Sequence, residues 1–286
     1  VAVRLTGGND ITPEVKEFMS RYGVRGYPTL YVMNADGHVV VADVKRSVDE
    51  MLKALADGEK AETEFAEAKK KTDDEGRKAL AGILKQRMAW DDLAALQEAD
   101  VKASPSAESY AELAKTYASA GRAADERKTL EKAIDQFKDA KQRTPWRIRL
   151  ATMEHDPSKA ASRDEFISLG EQTAKDLEGL LAKLEAEKDT KGAVDVRAAL
   201  GSTLLQIGKA DDAEKHFDAV LSADPKGAAA PTALMGKANC AWSRKDYAGC
   251  KAHLEKIVAD FPDSEEGKIA PRGIKNCEAQ IAKQKK

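Results

Sequence analysis

Residues 198–225 read "AALGSTLLQIGKADDAEKHFDAVLSADP", and this stretch decides the architecture. Leu200 and Leu204 fall four apart, Ala213, Phe217 and Val220 fall four and three apart, and Gly208 stands between the two sets. The spacing predicts two amphipathic helices that reverse at Gly208 and end before Pro225. Gly201 and Ala213 place small residues where the two helices face each other, which allows close approach. The design recurs in residues 234–262, "LMGKANCAWSRKDYAGCKAHLEKIVADFP", with Leu234, Ala238, Ala241, Cys250, Leu254, Ile257 and Pro262 at matching places. Lys237 stands where a leucine is expected.

Two weaker copies precede these. Residues 80–105 carry Leu80, Ala81, Leu84, Leu93 and Pro105, and residues 110–133 carry Tyr110, Leu113, Ala114, Tyr117, Gly121, Leu130 and Ala133. In the latter, Glu126 occupies a small-residue position, which predicts splayed helices. Between the early and late copies the chain is helical but off the repeat period, with one long helix expected from Ser162 to Lys188. The tail after Ser264 reads as a capping helix with basic residues at its end. Together these patterns resemble the tetratricopeptide repeat, a helix pair of about 34 residues. The resemblance implies a solenoid of stacked pairs that binds a protein or peptide partner along the first helices. The groove positions would be Asp195, Ala198, Ser202 and Leu205, then Thr232, Met235, Asn239 and Trp242. Trp242 has two readings: with Met235 it anchors an apolar peptide, or it packs between repeats. Of the lysine and asparagine clamp by which some family members hold a carboxyl terminus, only Asn239 and Lys115 are echoes.

The first fifth of the chain is different. Thr12, Pro13 and Glu14 open a short helix that Gly23 closes. "TLYVM", "NADG" and "HVVVAD" then read as strand, turn and strand, and "VAVRL" at the start reads as another strand. Ser47 caps a further helix, with Val48, Met51, Leu52 and Leu55 on one face and Gly58 as its expected stop. Residues 26–30, "GYPTL", resemble the cis-proline loop of the thioredoxin fold. Proline lowers the cost of a cis peptide to about 1 kcal/mol or less, and such a kink turns backbone groups outward to pair with an extended peptide. The resemblance makes Tyr27, Pro28 and Thr29 the substrate-facing loop. The Cys-x-x-Cys of that family, whose thiol is activated at a helix N-terminus, occurs nowhere in the chain. Its position would fall before Val1, and the simplest account is a chain that begins inside a longer protein.

The expected fold class is therefore an α+β N-terminal piece, partial and thioredoxin-like, joined to a larger all-α repeat solenoid. Its parts are 1–58, a charged helical connector at 59–73, and the repeats at 74–286. Two functions follow. One is a fragment of a thiol-disulfide oxidoreductase with a partner-selecting repeat domain, inert without upstream cysteines. The other is a redox-inactive adaptor. The incomplete sheet implies self-association, and the resemblance implies a bacterial extracytoplasmic setting, with no signal segment in the sequence.

Composition narrows the alternatives. The 286 residues carry 47 basic and 49 acidic side chains, so no field of one sign is available to attract nucleic acid. No apolar run approaches the ~20 residues of a spanning helix. Cys240, Cys250 and Cys277 are too far apart in sequence for a tight metal or redox motif, and Cys250 at a small-residue position reads as a buried structural thiol, with a disulfide as the lesser alternative. His216 and His253 match across the two late repeats and suggest a surface row. His155 lies between Glu154 and Asp156 without ligand spacing. No catalytic constellation, metal site or cofactor motif can be assembled.

Overall fold

The computed structural model describes residues 13–24, 29–157 and 160–284. The chain divides into two compact units, residues 1–140 and 141–286.

In the first unit, α1 (Pro13–Arg21) ends at Gly23, whose φ of +61° is the left-handed conformation of a helix stop. β1 (Val32–Met33) and β2 (Val39–Val41) pair antiparallel, with a register irregularity beside Val32 and Met33. The Asn34 side-chain oxygen accepts from the amides of Asp36 and His38, and Gly37 takes φ +80°, so the turn is built from the residues its sequence announced. α2 (Val48–Ala68) starts at Ser47, whose hydroxyl accepts from the Glu50 amide at 3.3 Å.

Gly58 does not stop α2. The helix passes through it, because Gly58 keeps helical backbone angles and the residues beyond, Glu59 to Ala68, are mostly good helix formers. Gly58 instead faces the hairpin, where an added Cβ would lie 3.6 Å from Val32 and Val40 methyls. Most of the expected connector at 59–73 is thus the second half of α2. The partial thioredoxin-like piece reduces, among the described residues, to a two-stranded hairpin with flanking helices. The expected strand at the start, "VAVRL", and the loop residues Tyr27 and Pro28 lie outside the described residues.

Two helix pairs follow: α3 (Asp74–Gln86) with α4 (Trp90–Ala103), and α5 (Ala107–Ser119) with α6 (Ala123–Gln136). Asp73 caps α3 by accepting from the Gly76 amide, and Ser106 and Ser109 close a reciprocal capping box on α5. The hairpin is fastened to the first pair. The Val39 amide donates to the Arg87 carbonyl at 2.8 Å. The buried Arg87 guanidinium donates to Glu62 and to the Ala61 carbonyl, both at 2.9 Å, and lies over the Phe65 ring. Trp90 Nε1–H donates to the Arg21 carbonyl at 2.8 Å, and Arg21 pairs with Asp91. In the second pair Glu126 is buried, and Leu113, Tyr117, Leu130 and Ala133 are buried with it.

The second unit opens with α7 (Arg143–Glu154) and α8 (Arg163–Ala186), the latter capped by Ser162 as its sequence predicts. α9 (Thr190–Gln206) and α10 (Ala210–Ala223) form one repeat, α11 (Ala230–Ser243) and α12 (Tyr247–Asp260) the next, and α13 (Glu265–Gln284) follows. Leu177, Leu184, Val196, Leu200, Phe217 and Val220 form a fully buried core across α8 to α10. A second cluster joins Leu234, Leu254, Ile257, Ala270 and Cys277 across α11 to α13. Each such leucine, valine or phenylalanine contributes about 1.5–3 kcal/mol by burial. Phe217 is held between two glycines. A Cβ on Gly201 would lie 2.7 Å from its ring, and one on Gly236 would collide with it outright. Lys237, at the expected leucine position, keeps only its stem in the packing and pairs its ammonium with Glu214 and Asp218 of α10. Among the described residues, no helix is long and apolar enough to cross a membrane.

Candidate functional site

The second repeat and α13 enclose a recess of about 330 Å³. α11 supplies Met235, Asn239 and Trp242 at helical spacing, so all three emerge on one face. Leu254 and Cys250 of α12 form the floor, and Ile269, Arg272, Gly273 and Asn276 of α13 form the opposite wall. Gly273 permits that wall to stand close: a Cβ there would lie 2.8 Å from the Leu254 side chain. Trp242 remains 38% exposed, braced edge-on by Tyr247 with ring centroids 4.9 Å apart. Ile269 is 60% exposed. An apolar floor, a fixed indole and polar groups at the rim are what a pocket needs to hold an apolar side chain and orient the chain that carries it.

The sequence-predicted groove residues separate into two groups. Met235, Asn239 and Trp242 come together in this recess. Asp195, Ser202 and Leu205 on α9 do not line it. Burial holds the Asp195 carboxyl above its ordinary range, with Lys191 pulling the other way. Ser202 donates its hydroxyl to the Ala198 carbonyl within α9 at 2.9 Å, and Leu205 packs on the α8–α10 core. Thr232 binds Glu266 at 2.7 Å and so fastens α11 to α13. Of the N-terminal loop, Thr29 is described and half-buried ahead of β1. The α13 wall was not foreseen. Its signal was present, since Ile269, Gly273 and Asn276 recur at four and three residues, but a helix after the last repeat offers no period with which to align it.

The histidines do not form a surface row. His216 and His253 are half-buried, and burial pulls both below the usual imidazole range, reinforced by Arg197 for His216 and Lys237 for His253. His216 Nδ1 is buried without a hydrogen-bond partner among the described residues. His155 Nε2 lies 3.5 Å from Asp176. No group of three metal-ligating side chains occurs among the described residues. A second, polar cleft in the first unit lies between α3, α4 and α5, where Arg77 pairs with Asp100.

Residues 204–270 match the family model of the tetratricopeptide repeat, and the chain is a mostly helical repeat protein. The matched stretch contains Met235, Asn239, Trp242 and Ile269. Solved structures with some likeness are the yeast Tom70 crystal structure and a tetratricopeptide repeat protein from Parabacteroides merdae. Tom70 is 17% identical with a TM-score of 0.41 over 98% of this chain and 60% of that one. The Parabacteroides protein is 16% identical with a TM-score of 0.27 over 62% and 74%. The TPR2AB-domain:pHSP90 complex of yeast Sti1 is 13% identical with a TM-score of 0.26 over 76% and 99%. The chain thus spans less than two thirds of Tom70. A search of curated proteins found no match.

Proposed function

We propose that the protein is an adaptor that holds an apolar peptide segment of another protein in the recess between α11 and α13. The observation that carries this reading is the recess itself: Met235, Trp242 and Ile269, which lie in the stretch that matches a repeat family, leave apolar surface open beside Asn239, Arg272 and Asn276. Trp242 inserts beside the peptide's apolar anchor. The Arg272 guanidinium at the rim favours a peptide with a carboxylate next to that anchor. Binding of this kind concentrates its energy in a few desolvated residues, and truncating a central aromatic costs about 2 kcal/mol or more, which is roughly thirtyfold in Kd.

The oxidoreductase reading rests on the resemblance of residues 1–58, centred on 26–30, to the thioredoxin fold and gains no support from the described residues. The adaptor reading is tested by selecting peptides from a displayed random library on the full chain, then measuring the winners against Trp242→Ala and Arg272→Ala. The expected result is apolar sequences with a nearby acidic residue, weakened about thirtyfold by the first substitution and less by the second. Winners that hold both variants as tightly as the parent place binding elsewhere and sink the reading.

A further inference from the structure

Cys250 and Cys277 are 27 residues apart in sequence, yet their sulfurs lie 3.1 Å apart where α12 packs on α13. Both residues are buried, at 3% and 0% exposure. A disulfide bond is about 2.05 Å long, so the two sulfurs need approach by only about 1 Å to join. The third cysteine does not compete. Cys240 belongs to the α8–α11 core and points its thiol at the Ala210 carbonyl. We propose that Cys250 and Cys277 are a dithiol–disulfide site, which an oxidising small-molecule disulfide converts into a covalent tie between α12 and α13.

The exchange balances as two successive displacements. One cysteine gives its proton to solvent and its thiolate attacks a sulfur of the small disulfide, whose S–S bond breaks to release one small thiolate. The second cysteine then attacks the protein-bound sulfur of the mixed disulfide, the Cys250–Cys277 bond forms, and the second small thiolate leaves. Two protein thiols are oxidised, one small disulfide is reduced to two thiols, and the released protons return to the leaving thiolates. The packed state is a poor place for the first attack. Burial, and then the hydrogen bond that the protonated thiol shares with Cys277, push Cys250 up to about 12. Thiolate forms when α13 is open, during folding or local unfolding, and the finished bond is shielded once α13 docks. The pair lies under the recess, so the tie fixes the wall that carries Ile269, Arg272 and Asn276.

Trypsin separates the three cysteines onto different peptides, residues 238–244, 246–251 and 276–283. The full chain is refolded in a glutathione and glutathione-disulfide buffer, its remaining thiols are alkylated, and it is digested without reduction. The expected product is 246–251 linked to 276–283, with 238–244 alkylated. The oxidised protein should also melt at a higher temperature than the same sample with reductant, and Cys277→Ala should lose that difference. Alkylation of all three cysteines, or linkage of 238–244 to either partner, overturns the proposal. A linked pair with no rise in melting temperature overturns the tie between the helices.

Discussion

Phe217 shows how single positions set the spacing of the repeats. Its ring is fully buried on α10, with Gly201 of α9 and Gly236 of α11 pressed against it. A glycine inside a helix ordinarily costs about 1 kcal/mol relative to alanine, so alanine should stabilise unless a methyl group has nowhere to go. Here it has nowhere to go. Gly236→Ala and Gly201→Ala should each lower unfolding free energy in urea by about 1–3 kcal/mol, the usual cost of overpacking. Gly179→Ala on α8, where nothing stands within 4 Å of the new methyl, should raise it by about 0.5–1 kcal/mol. The same sign at all three positions would mean that the ring yields and the glycines are not packing sites.

At the scale of elements, α8 is the plainest case of sequence fixing a boundary. Ser162 accepts from the Glu165 amide at 3.2 Å, and Glu165 reaches back to the Ala161 amide. Ser162→Ala should cost about 1 kcal/mol, read as a lowered urea midpoint with unchanged slope; an unchanged midpoint would mean that α8 owes nothing to its cap. Caps and the 3.6-residue period are local, which is why α8, α9 to α12 and the "NADG" turn could be read from the chain. What could not be read depends on partners distant in sequence. Gly58 carries the identity of a helix stop, yet only the hairpin packed against it shows why a small residue sits there in continuing helix. Lys237 breaks the apolar pattern, and the carboxylates of Glu214 and Asp218 that accommodate it lie on the preceding helix. Met235, Asn239 and Trp242 were legible as one face of α11, whereas the wall from α13 and the meeting of Cys250 with Cys277 appear only once α13 is folded back. The place of the α9 positions depends on distant partners in the same way, since Leu205 is drawn against the α8–α10 core.

For the molecule as a whole, near-balance of charge leaves its response to acid to a few specific groups. His216 and His253 bind protons less readily when folded than unfolded, because burial holds them below the ordinary value of 6.5. Their contribution is present in full above pH 6.5 and is lost as pH falls from there through the lowered folded values. Asp212 and Glu265 are held below 3.8 and 4.5 by hydrogen bonds from Lys215 and Lys268, so what they add fades only in stronger acid. The thermal midpoint should therefore decline in two stages on acidification. His216→Gln with His253→Gln should flatten the first stage and leave the second; an unaltered first stage would show that the imidazoles titrate freely in the folded chain. The fastening of α1 to the first helix pair bears on the order of assembly. Helix pairs close short loops, whereas the Trp90 bond to Arg21 spans 69 residues, and long loops are closed late because their entropy is surrendered before contacts repay it. In a refolding experiment with Trp146 and Trp242 replaced by phenylalanine, the Trp90 fluorescence change should lag behind recovery of helical circular dichroism. The N-terminal helix α1 would then be the last part of its unit to lock and the first to let go, giving a repeat array a clasp that opens without unstacking the helices behind it.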